Sequence, residues 1–133
     1  MRALLIGLAV VAAAAAPRDL LQRYEHEARS EDAAFTGFSS ERGRALYLTE
    51  RTTSRGQTVS CATCHTADPT QPGKTRANKR IDPLAPAANP ARLTDPATVE
   101  KWFLRNCRDV LERPCTAREK GDFITYLLSP HGG

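Results

Sequence analysis

At 133 residues the chain is long enough for one small domain and too short for several. Its net charge of +4 is mild and calls for nothing beyond a solvated mixed-charge surface, which argues against a nucleic-acid partner. Aromatic residues make up only 6% of the sequence, thin for a domain of this size, so an apolar body from outside the polypeptide would fill much of the core.

The chain begins with Met1, a single basic residue Arg2, a short apolar run to Val11, five alanines and Pro17. That pattern predicts a secretory signal peptide over residues 1–15, followed by one domain over 16–133. The apolar run is too short to span a bilayer, so the exported protein is expected to have no membrane segment. A cut directly before proline is disfavoured, which places cleavage before Ala16.

Leu20, Leu21, Tyr24 and Ala28 recur at helical spacing, with Pro17 and Asp19 in the first turn of a short N-terminal helix. Residues 30–37 read as a connection. Ser39 or Ser40 then caps a helix over 41–48. Inside it Gly43 precedes an aromatic residue, Tyr47, by four positions on the same face. Glycine in a helix interior costs about 1 kcal/mol, and the close approach of another helix would be a reason to keep it.

Residues 52–60 form a polar loop, and Cys61-Ala62-Thr63-Cys64-His65 follows. Two cysteines spaced by two residues and followed at once by histidine have the form of a c-type haem attachment site. One helical turn carries both sulfurs to one edge of the porphyrin and brings the imidazole under the iron. The competing readings are weaker. A redox dithiol wants a βαβ context, which the short flank Thr58-Val59-Ser60 does not supply. A zinc site wants a second close pair, whereas Cys107 and Cys115 have seven residues between them. If haem occupies Cys61 and Cys64, an oxidising compartment leaves Cys107 and Cys115 to pair with each other.

The stretch 68–90 contains Pro69, Pro72, Pro83, Pro86 and Pro90, which rule out a continuous helix. Its basic residues Lys74, Arg76, Lys79 and Arg80 suit either haem propionates or plain solvation, and a carbonyl of this segment is expected to receive the ring proton of His65. Asp95 and Pro96 form a cap and first-turn proline for a helix to about Leu111, with Val99, Trp102, Phe103, Asn106 and Val110 on one stripe. Thr116 and Glu119 make a capping box that opens a last helix through Leu128. Ser129-Pro130 ends it, leaving His131 in a tail.

Met1 is the only methionine, and export removes it, so the usual methionine ligand to a cytochrome c iron is excluded. His26, His131, a lysine, Asn106 or no residue remain as the sixth ligand. On the residues alone three readings of Asn106 stay open: an iron ligand, a buried amide bonded to backbone, or a bystander to an open sixth site.

Together these motifs resemble the oxygen-binding class I cytochromes c typified by the sphaeroides haem protein. The likeness rests on Glu41-Arg42-Gly43-Arg44-Ala45-Leu46, Ser60 to His65, Pro83-Leu84-Ala85, Val99-Glu100-Lys101-Trp102, Arg105-Asn106-Cys107, Cys115-Thr116 and Glu119-Lys120. It implies an all-α class I cytochrome c fold, a small helical domain wrapped around one covalently attached haem c. It also implies that Cys61, Cys64 and His65 hold the haem, that Asn106 is the sixth iron ligand, and that Cys107 and Cys115 form a disulfide. A dihaem cytochrome c or a membrane cytochrome b is the implied electron donor, in the periplasm.

An amide oxygen is a hard, neutral, weak donor that favours ferric over ferrous iron. Reduction should therefore release Asn106 and leave a five-coordinate iron open to O₂, NO or CO. The expected function is an exported monohaem cytochrome that accepts electrons and binds a diatomic gas. The alternatives are a simple electron carrier and a haem enzyme that reduces oxygen, nitric oxide or peroxide.

Overall fold

The computed structural model describes residues 12–131. Residues 1–11 of the expected leader lie outside that span. The first helix, α1, runs over Ala12–Glu31, so it begins ahead of Pro17 and continues through the segment expected as a connection. Alanine is the strongest helix former, which favours a helix upstream of the proline. At the other end Arg29 pairs with Glu25 one turn back at 2.7 Å, and Asp32 N–H closes the last turn on the Ala28 carbonyl at 2.9 Å. Leu20, Tyr24 and Ala28 form its buried stripe, and His26 is exposed.

Helix α2 spans Ser40–Leu48, with Ser39 as its cap accepting from Arg42 N–H at 3.2 Å. A hairpin of β1 (Arg51–Thr52) and β2 (Thr58–Val59) follows, then α3 (Cys61–His65). A second hairpin pairs β3 (Gly73–Lys74) with β4 (Arg80–Ile81). Both hairpins fall where polar or proline-rich loops were expected. Strands of two residues carry no alternation of apolar and polar side chains, and their turns do the specifying. Gly56 at φ 76° shapes the first, and Asn78 at φ 60° the second.

Helix α4 spans Pro96–Leu111 behind the Asp95 cap, and α5 spans Ala117–Leu128 behind the Thr116–Glu119 capping box. The backbone frame is made by α1, α2 and α5. At the α2–α5 crossing a Cβ on Gly43 would meet the Asp122 carbonyl oxygen at 2.0 Å, so only glycine admits this approach. Tyr47 and Tyr126 pack beside it with ring centroids 5.5 Å apart and their planes tilted by 50°, backed by Leu127. The buried Asp122 carboxylate accepts from Ser39 N–H at 2.7 Å and from Arg42 at 2.8 and 2.9 Å, which locks the start of α2 to α5. Leu20 and Tyr24 of α1 pack on Ile124, and Ala28 on Ala117.

Helix α4 joins this frame differently. Val99 and Phe103 pack against the Leu20–Tyr24–Ile124 cluster. Glu100 accepts from the Tyr24 hydroxyl, from Arg23 at 3.0 Å and from Lys120 at 3.0 Å, linking α4 to α1 and α5. The disulfide Cys107–Cys115 ties its last turns to the start of α5. Beyond α5, His131 is held rather than loose: its ring stands edge-on to Tyr126 at 4.8 Å. Among the described residues no helix is long and apolar enough to cross a membrane. The architecture is the expected small helical domain, with two hairpins added.

Candidate haem-attachment site

The attachment motif is a helix of its own. Thr63 Oγ1 accepts from Ser60 N–H at 2.8 Å and winds the first turn, which brings Cys61 and Cys64 onto one side. Both cysteines are free thiols, unlike Cys107 and Cys115. Cys61 and Ala62 rest against the Tyr47–Tyr126–Leu127 cluster, and burial pushes the Cys61 thiol up to about 11. At the end of α3 the chain turns sharply through Thr66 at φ 68°. The Tyr47 hydroxyl donates to both carbonyls at that turn, to His65 at 3.2 Å and Thr66 at 2.6 Å.

On the other side the second hairpin closes in. A Cβ on Gly73 would lie 1.9 Å from the Cys64 carbonyl oxygen and 2.9 Å from His65 Cα, so β3 runs flush against the motif backbone. Burial, helped by the Arg92 guanidinium, lowers the His65 pKa to about 4. The imidazole is therefore neutral at physiological pH, the form that donates a lone pair to iron. Arg92 itself is fixed by the Pro83 carbonyl at 2.9 Å and the Asp82 carbonyl at 2.8 Å. Among the described residues no carbonyl takes the His65 ring proton, contrary to the expectation for this segment. Lys74, Arg76, Lys79 and Arg80 are all exposed, as a solvated hairpin requires.

Helix α4 departs from its expected stripe. Val99, Phe103 and Val110 are half-buried and Cys107 is buried, and these four form the inward row. Trp102 and Asn106 stand one residue earlier, about 100° round the helix, and both are exposed. Helical spacing orders which residues share a side, and the disulfide at Cys107 together with the packing of Val99 and Phe103 on the core sets which side turns inward. Asn106 is thus not the buried amide bonded to backbone that one reading described, and among the described residues its side chain has no hydrogen-bond partner. Sequence reasoning overlooked Glu112, whose left-handed backbone and carboxylate bonds leave no mark in hydropathy or spacing.

These residues fit a covalently held haem. Two free thiols one turn apart precede a neutral imidazole, and glycine at 73 keeps a side chain off the motif backbone. The rival chemistries do not fit. Antiparallel hairpins flank α3 where a thioredoxin-like dithiol would need parallel strands. Among the described residues no group of three or more His, Cys, Asp or Glu is placed to hold a metal ion on its own.

Comparison with known proteins gives the same answer. Residues 33–127 match a family described as a domain of unknown function, DUF1924. The chain is 50% identical over 99 residues to cytochrome c-type protein SHP of Cereibacter sphaeroides, covering 74% of this chain and 77% of that protein. The structure of oxidised SHP, described as an oxygen-binding cytochrome c, superposes with a TM-score of 0.75 at 47% identity, covering 84% of this chain and 94% of that one. The solution structure of cytochrome c'' from Methylophilus methylotrophus, discussed in terms of haem-ligand detachment, superposes at 0.78 with 35% identity, covering 86% and 93%. The chain belongs to the DUF1924 family and is a monohaem c-type cytochrome related to SHP, with covalently bound haem c as its cofactor.

Proposed function

We propose that this cytochrome is an exported, periplasmic redox protein whose iron is held by His65 and Asn106 when oxidised and opens to a diatomic gas when reduced. Haem c supplies a one-electron centre and, with a free coordination position, a seat for O₂, NO or CO. Cys61 and Cys64 anchor it through thioethers, and His65 donates from its neutral ring. Asn106 closes the sixth position through its amide oxygen, a hard donor that loses its hold as the metal becomes ferrous. A dihaem cytochrome c or a membrane cytochrome b is the proposed electron donor.

The observation that carries this reading is the state of Asn106. Its amide is exposed and, among the described residues, unbonded, one residue before a buried disulfide cysteine. The only methionine, Met1, belongs to the expected leader. His26 is exposed on α1, and the His131 ring packs against Tyr126, which turns both histidines to other surroundings. The description of SHP as oxygen-binding, and of cytochrome c'' in terms of ligand detachment, agrees with the reading.

Replacing Asn106 tests it. Asn106→Ala should keep the haem attached and turn the ferric spectrum high-spin, and an unchanged low-spin spectrum eliminates Asn106 as a ligand. CO added to the reduced wild-type protein should shift the Soret band promptly. A reduced protein indifferent to CO keeps its sixth position closed, and the gas-binding reading then fails.

A further inference from the structure

Helix α4 ends at Glu112, which caps it in the left-handed conformation at φ 57° and ψ 24°, its N–H bonded to the Arg108 carbonyl at 3.0 Å. That position usually holds glycine, because any Cβ there is disfavoured. A glutamate that occupies it is there for its side chain or for no local reason. The side chain is engaged: its carboxylate accepts from Ser54 N–H at 3.2 and 3.0 Å and from Ser54 Oγ at 2.5 Å. These charge-assisted bonds pull the Glu112 carboxyl below its ordinary value.

The partner's place gives the bond its meaning. Ser54 lies in the turn of the first hairpin, which closes through Thr53 N–H on the Gln57 carbonyl at 2.8 Å. From there β2 runs directly into Ser60 and Cys61. The disulfide refers the end of α4 to α5, whereas Glu112 refers it to the segment that carries the haem thiols. We infer that Glu112 is a positioning residue: by clamping Ser54 it fixes the end of α4 against the haem segment and so sets how firmly Asn106 is presented to the iron. This inference rests on Asn106 being the sixth ligand.

The test measures the affinity of the ferric holoprotein for imidazole, which competes with Asn106 for the iron, alongside the high-spin fraction of its spectrum. Glu112→Gly relieves the backbone while deleting the clamp, and Ser54→Ala weakens the clamp from the other side. Both should tighten imidazole binding, roughly two- to tenfold, because a less firmly held competitor yields more readily. Glu112→Gln, which keeps one acceptor oxygen, should fall between them and wild type. The double variant should add little to Glu112→Gly alone. Asn106→Ala is the control that separates the two ideas. If it tightens imidazole binding while Glu112→Gly and Ser54→Ala leave it unchanged, Glu112 is a helix cap only and this inference is overturned. If Asn106→Ala changes nothing, the ligand assignment falls and the role of Glu112 falls with it.

Discussion

Gly43 passes so close to Asp122 that a β-carbon on the glycine would lie 2.0 Å from the aspartate's carbonyl oxygen. The obstructing atoms are backbone, which cannot rotate aside. Gly43→Ala must therefore push α2 away from α5, with a cost of about 3 kcal/mol. The melting temperature of the holoprotein should drop by roughly 10 °C, followed by circular dichroism. A variant that melts with the wild type places the crossing elsewhere.

The disulfide closes a ring with a sequence separation of 8 between Cys107 and Cys115. By chain entropy such a ring contributes about 2.5 kcal/mol. Cys107→Ser with Cys115→Ser should lower the denaturation midpoint accordingly, and reductant should move the wild type to the same value. Equal midpoints for oxidised and reduced wild type would remove the bridge from the list of stabilising features.

Tyr47 donates its one hydroxyl proton at the His65 and Thr66 carbonyls while its ring packs on Tyr126 and Phe123. Tyr47→Phe preserves the packing and leaves those carbonyls without their partner, at a cost of about 1–3 kcal/mol. Burial raises the Tyr47 phenol far above its usual value, so the bonds persist through alkaline pH. Denaturant titration should show the loss, with haem still attached on a denaturing gel.

Acid weakens the attachment of α4. Burial works against ionisation of Glu100, but hydrogen bonds from Tyr24 and Lys120 outweigh it and hold the carboxyl below its ordinary value of 4.5. A depressed carboxyl contributes stability above that value and loses it as pH falls through the folded pKa. The melting temperature of Glu100→Gln should therefore change less than that of wild type as pH drops below about 4.5. The difference is modest, because the Glu100 side chain is 39% exposed and screened by solvent. Parallel curves would assign the acid limb to other groups, Glu119 first, whose carboxyl is also depressed.

Much of this molecule was readable from residue order. The Asp95–Pro96 start and the Thr116–Glu119 box are local chemistry, so the starts of α4 and α5 followed from a few side chains each. Gly43 with Tyr47 signalled a crossing because an interior glycine needs a reason. The hairpins escaped because backbone bonds and single left-handed residues make them. The exposed side of α4 escaped for another reason: spacing orders Trp102 and Asn106 around the helix, but its rotation is set by tertiary contacts, the packing of Val99 and Phe103 and the Cys107–Cys115 disulfide. Ser54 and Glu112 are separated by 58 positions, beyond the reach of any periodicity.

The contrast between the crossings of α5 and the attachment of α4 bears on how such a chain diversifies. Gly43 against Asp122 is a fit between backbones, where any enlargement is rejected. Helix α4 is also reached by the long side chains of Arg23 and Lys120, which can reorient around a changed neighbour. Descendants of this sequence can thus exchange the exposed residues of α4, Trp102 and Asn106 among them, while inheriting the three-helix frame unaltered.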